Sequence, residues 1–261
     1  MSRDLIPEVL PEDKPLPFWD HVGELRDRLI RAILALFAAT SVAYFLRLPL
    51  WRLAVHPFLK VYLRHPELGS NALTPFAYTD LAEPFFSFMR LSFWTAVLAC
   101  SPYLFYQVWA FIKPALRERE RSMATGFVAV TSLCFVLGVV FAYFALFPEL
   151  ADLLLDEALR AGLRANLRPE EYLNLFLYTL VGTGLSFETP VLFYFLARFG
   201  FVNSRAMLKY WREATIVILF VSAFLTPGDV VATTILFGVV LLALYFISAG
   251  VVWFVERRRT A

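Results

Sequence analysis

Residues Ser101–Arg121 read SPYLFYQVWAFIKPALRERER. An apolar, aromatic run closes on Trp109, Phe111 and Ile112, Lys113 and Pro114 break it, and Arg117, Glu118, Arg119, Glu120 and Arg121 follow as alternating charge. The next residues, MATGFVAVTSLCFVLGVVFAYFALF, open a second apolar run. The pattern predicts a short charged loop between two membrane spans, on the cytoplasmic side, where Lys and Arg concentrate. Two carboxylates among the arginines then need an explanation.

Outward from this loop the chain is apolar throughout, with 59% hydrophobic residues among 261 and a mean hydropathy of +0.64. Soluble domains are roughly 45–50% apolar, and here the excess falls in blocks long enough for a ~30 Å bilayer core. The reading is an all-α polytopic membrane protein forming a single integral membrane domain over residues 1–261. Residues 1–17, acidic and proline-rich without an apolar core or cleavage site, read as a flexible cytoplasmic arm rather than a signal peptide.

Six spans are expected, at about 29–46, 85–112, 123–147, 173–199, 213–225 and 230–255. Asp20 is expected to cap an amphipathic surface helix ahead of the first, with Glu24, Arg28 and Arg31 on one face and Arg26 elsewhere. Residues 47–84, punctuated by five prolines, and residues 148–172, with a mixed-charge, solvated helical face, form two external loops. LWRLAVHPFLKVYL in the first suits the membrane surface. Arg90 is placed to snorkel to headgroups, and Pro102 to kink its span. The fifth span, 13 residues from Glu213 to Leu225, covers only ~20 Å. Asp229, in the turn Thr226–Asp229, caps the sixth. With both termini inside, sixteen basic residues lie inside and eight outside, which favours N-in, C-in.

The chemistry-bearing residues are few. Ser186 lacks a histidine base within a span, since His21, His56 and His65 all precede the second, so a hydrolase is disfavoured. No phosphate-binding glycine loop is present. His21 and Glu24 are one turn apart but lack a second pair of ligands, so no metal is expected, and no cofactor. A net charge of +2 gives no case for nucleic acid. Cys100 and Cys134 read as small hydrophobes. Glu188 is a carboxylate within a span, costly there and therefore a functional candidate. Glu24 and Glu120, at one membrane surface beside Trp109 and Phe111, suit a peptide with adjacent arginines. A guanidinium forks onto a carboxylate in a way an ammonium cannot.

From Phe18 to Arg259 the chain resembles the TatC family, the signal-receptor subunit of the twin-arginine protein translocase. The resemblance is carried by HVGELRDRL (His21–Leu29), PYLFYQVWAFIKPALRERER (Pro102–Arg121), Phe187-Glu188-Thr189-Pro190 and Thr226-Pro227-Gly228-Asp229. It implies a concave, glove-like bundle of six helices in the prokaryotic plasma membrane. It implies binding of twin-arginine signal peptides, TatB-type and TatA-type single-span partners, self-association in a receptor complex, and transport of folded proteins by the proton-motive force, without enzymatic activity. On matching positions Glu24 and Glu120 would contact the arginine pair. Arg26, Phe111, Pro114 and Arg121 would shape that surface, Glu188 would line the concave face, and Asp229 would stand at the external turn. The chain departs from the family's pattern at Gly23, where a bulkier residue is usual, at Arg117, and at Gly182 and Gly184, which suggest a more flexible fourth span. The alternative reading is a proton-coupled small-solute transporter with Glu188 as the coupling carboxylate.

Overall fold

The computed structural model describes residues 18–65, 76–112, 124–163, 166–225 and 231–260. Ten α-helices are found among them: α1 (Phe18–Phe45), α2 (Arg47–Tyr62), α3 (Glu83–Ile112), α4 (Ala124–Phe141), α5 (Phe147–Arg160), α6 (Pro169–Ser186), α7 (Thr189–Arg198), α8 (Ser204–Lys209), α9 (Trp211–Leu225) and α10 (Val231–Thr260). A π-helical turn, Ala142–Leu146, joins α4 to α5. The only β feature among these residues is an isolated parallel bridge between Phe76 and Leu167.

Five helical segments are long and apolar enough to cross a membrane: His21–Phe45, Glu83–Ile112, Gly126–Arg160, Pro169–Arg198 and Thr233–Arg258. The fifth of the six expected spans, α9, has 15 residues. At 1.5 Å per residue it reaches about 22 Å, short of a ~30 Å core. Side chains such as Phe37 (74% exposed) and Phe144 (71% exposed) face outward from their helices. That is tolerable in lipid, where apolar surface has no water to escape.

Three sequence expectations need correcting. The surface helix and the first span are one continuous helix, which starts at Phe18, ahead of the expected Asp20 cap. The helix of the expected third span does not stop at Phe147. It runs on through the π turn into α5, with Pro148 as the second residue of that helix. The stretch expected to be an external loop with a solvated helical face is helical, but one face of it is buried. Its Phe147, Leu150, Ala151 and Leu155 are buried, at helical spacing, against α2 and α6. Nor does Arg90 snorkel freely: it donates to Asn174 Oδ1 and, at 2.9 Å, to Glu170 Oε1 on α6.

The main core gathers at the end holding α2 and α5. Trp51, Phe58, Phe76, Phe147, Tyr172 and Phe176 pack edge to face or tilted, except that Tyr172 stacks on Phe176, with centroids 5.0–6.3 Å apart among the pairs in contact. This is the preferred geometry for aromatic quadrupoles. Prolines inside the helices are compensated by hydroxyls. Pro57 cannot donate to the Leu53 carbonyl, and the Tyr143 hydroxyl does so instead, at 2.9 Å. Pro102 leaves the Leu98 carbonyl short, and Ser101 Oγ donates to it at 2.8 Å, so α3 continues through the proline. At the same end His65 Nε2 meets Asp152 Oδ1 at 3.0 Å, and Arg168 meets the buried Glu83 at 3.4 Å.

A smaller core joins α7, α8 and α10 around Ala197, Met207, Tyr245, Ala249 and Val252. Tyr245 donates its hydroxyl to the Met207 carbonyl at 2.8 Å. Glu256 accepts from the Ser204 backbone N–H at 3.0 Å and from the Ser204 hydroxyl, holding the start of α8 against α10.

Candidate functional site

The site expected at the loop between the second and third spans is approached by two long helices. The first is α1, which packs along α3 more extensively than any other pair of elements. That packing brings the first turns of α1 to the last turn of α3. There the His21 ring stacks on Phe111, with centroids 4.3 Å apart and planes 13° from parallel. Glu24, one turn further along α1, lies on the same face. Its Oε1 accepts from Arg28 Nε at 3.0 Å and from the terminal guanidinium nitrogen. Its Oε2 is 3.9 Å from His21 Nδ1.

Glu24, Arg28 and His21 keep 28%, 20% and 36% of their side-chain surface in solvent. The carboxylate is neither sealed away nor free: it is held by a guanidinium and remains reachable. That pairing follows from helical spacing, since i and i+4 are neighbours on the helix surface. Arg26 is exposed on another face, as its position in the helix dictates. Pro114, Glu120 and Arg121, the other side of the expected clamp, lie outside the described residues, as does Asp229.

Behind Phe111 the wall is aromatic. Trp109 packs on Phe127 of α4 and Phe195 of α7, and Phe195 packs on Phe127, with centroids of 3.8, 5.1 and 3.9 Å. His21 and Arg28 were not among the residues assigned to the site from sequence. Their roles depend on Phe111, ninety positions from His21, and on a carboxylate whose own partner had to be seen. The spacing of His21 and Glu24 was visible, but it was weighed only as a pair of metal ligands and set aside for want of a second pair. Instead the imidazole lies flat on an aromatic ring.

Glu188 sits in the turn between α6 and α7 and is partly buried. It lies against α4, beside Cys134 and the Phe135 backbone. Phe187 and Glu188 interrupt the helix, and Pro190 follows within the first turn of α7. Proline has no N–H, so the Ser186 carbonyl loses the donor that a continuous helix would supply. The Ser186 hydroxyl is spent on the Gly182 carbonyl at 2.7 Å, the local back-bond of a serine in a helix rather than an arrangement for nucleophilic attack.

The family model for Sec-independent protein translocase protein (TatC) matches residues 20–238. The TatC protein of Koribacter versatilis is 30% identical over 243 residues, which cover 93% of this chain and 87% of that protein. The TatC protein of Deinococcus radiodurans is 33% identical over 236 residues, covering 90% and 85%. Among solved structures, the crystal structure of the twin arginine translocase receptor TatC superposes with a TM-score of 0.76 at 27% identity, covering 90% of this chain and 99% of that one.

Proposed function

The chain belongs to the TatC family of Sec-independent protein translocase components, and from that premise we propose that it is the subunit that binds twin-arginine signal peptides. One arginine of the pair meets Glu24 and the other Glu120. Arg26, Phe111, Pro114 and Arg121 shape the surface around them. Six spans, α9 among them, form a single integral membrane domain, a concave bundle in the prokaryotic plasma membrane with both termini cytoplasmic. The end of the bundle with Glu24 then faces the cytosol, and the end with α2 and α5 faces outward, with Asp229 at an external turn. TatB-type and TatA-type single-span proteins, and further copies of this chain, complete the complex. It moves folded proteins with the proton-motive force and carries out no enzymatic turnover. The small-solute transporter reading of Glu188 gains no support from the family.

The observation that carries this reading is the half-open Glu24 carboxylate, already gripped by a guanidinium, at the foot of the aromatic end of α3. A peptide arginine displacing Arg28 exchanges one charge-assisted fork for another, so the carboxylate is never left unpaired. A lysine offers a point charge without the fork. The test is a photocrosslinker placed at Val22 or Leu25, both exposed beside the site, in membranes given an Arg-Arg signal peptide or its Lys-Lys variant. Strong labelling by the first and weak labelling by the second is expected. Equal labelling by both would remove the arginine fork from the account.

A further inference from the structure

Between α2, α3, α6 and the junction of α4 with the π turn lies a cavity of about 310 Å³, within the size range of ligand sites. Its floor is made by Ala54 of α2, Leu91 of α3 and Phe176, Leu177 and Leu180 of α6, all buried. Its mouth carries Leu53, Val140 and Phe144, which are 58%, 44% and 71% exposed. Two tyrosine hydroxyls fix α2 over this gap: Tyr143 donates to the Leu53 carbonyl at 2.9 Å and Tyr172 to the Ala54 carbonyl at 2.7 Å.

The cavity lies at acyl-chain depth. Leu91 is about 12 Å along α3 from its start at Glu83, and the lining continues to Leu98, about 10 Å further. That places it within one half of a ~30 Å hydrocarbon core. The lining side chains are apolar apart from Thr95 and Tyr143, and Tyr143 has spent its hydroxyl on α2.

Leu53 also borders a cationic row. Arg52, His56 and Lys60 stand at i, i+4 and i+8 of α2, so they share one face, and all three are exposed. Helix α2 contains no acidic residue. The ion pairs at this end join His65 to Asp152, Arg90 to Glu170 and Arg168 to Glu83. Among the described residues they leave the row unpaired.

We propose that α2 and this cavity together bind an anionic phospholipid, with an acyl chain in the cavity and the phosphate against Arg52, His56 and Lys60. An acyl chain asks nothing of an apolar lining. An extended peptide would bring N–H and C=O groups to a wall whose only polar side-chain groups are two hydroxyls, and a basic segment would be repelled by the row. The anionic headgroup is what the charge of α2 selects. The proposal rests on the membrane placement given above and is independent of what binds at Glu24.

The test is photocrosslinking of the full chain in phosphatidylcholine nanodiscs, read by mass spectrometry. The discs carry either phosphatidylglycerol or phosphatidylcholine with a diazirine near the end of one acyl chain. Phe37, outward-facing on α1, serves as the reference for ordinary lipid contact. Labelling around Leu53, Leu98 and Val140 should be several-fold stronger with the phosphatidylglycerol probe, and labelling at Phe37 equal with the two. Arg52→Gln combined with Lys60→Gln, both on the exposed face, should bring the probes level at the cavity. Thr95→Phe, which fills the cavity from α3, should reduce cavity labelling by both. Equal cavity labelling by the two probes in the unaltered chain would overturn the proposal without recourse to any variant. So would a phosphatidylglycerol preference that persists in the double variant, or undiminished cavity labelling in a folded Thr95→Phe protein.

Discussion

Glu24 enters any encounter with a peptide already paired. Arg28 binds it through two nitrogens, so an incoming arginine must win a competition. A solvent-accessible i, i+4 pair stabilises by about 0.3–0.5 kcal/mol. Arg28→Ala should therefore tighten binding of an Arg-Arg peptide by about twofold, read by fluorescence anisotropy in nanodiscs. Weaker binding would mean that Arg28 contacts the peptide itself. Glu24→Gln should weaken it by about 1.5 kcal/mol, roughly tenfold. The face shared by Glu24 and Arg28 was legible in the sequence, because a helical period fixes it. The stack of His21 on Phe111 was not, because no local rule relates two residues brought together only by the packing of α1 on α3.

Helix α2 owes its packed position partly to a hydroxyl from elsewhere. Tyr143 donates to the Leu53 carbonyl that Pro57 leaves without its helical partner. Tyr143→Phe should lower stability by about 1 kcal/mol, the net worth of one hydrogen bond, measured as a lower unfolding midpoint in detergent. An unchanged midpoint would show that the carbonyl finds another donor. Helices α4 and α6 cross through Gly138 and Gly184. A Cβ on Gly138 would lie 2.8 Å from Phe187 Cγ and 2.9 Å from backbone. Gly138→Ala should therefore cost about 1–3 kcal/mol by overpacking, in the same melting assay, whereas Gly126→Ala, with nothing nearby, should not. Gly184 was expected to loosen its span, yet it serves close packing; a glycine in a sequence does not say which. Helix α5 was misjudged for a related reason. Its charges are conspicuous, and its stripe of Phe147, Leu150, Ala151 and Leu155 is recognisable as a core face only once α2 is known to lie against it.

For the molecule as a whole, the helical fold and the five helices long and apolar enough to cross a membrane were legible, because the apolar blocks match a bilayer in length. The weak point was α9, where apolar character and length disagree. If it crosses the membrane as proposed, a helix about 22 Å long should draw the bilayer thin, at a fraction of a kcal/mol per Å. Inserting five leucines into α9 should reduce cargo transport into inverted vesicles while leaving signal-peptide binding intact; full transport would exclude thinning from the mechanism. The central proposal, however, is that Glu24 and Glu120 together select arginine over lysine. The most direct test is to titrate Arg-Arg and Lys-Lys signal peptides against the unaltered protein, Glu24→Gln and Glu120→Gln. The account predicts that the preference for Arg-Arg is strong in the first and largely lost in each of the others. A preference that survived both substitutions would contradict it.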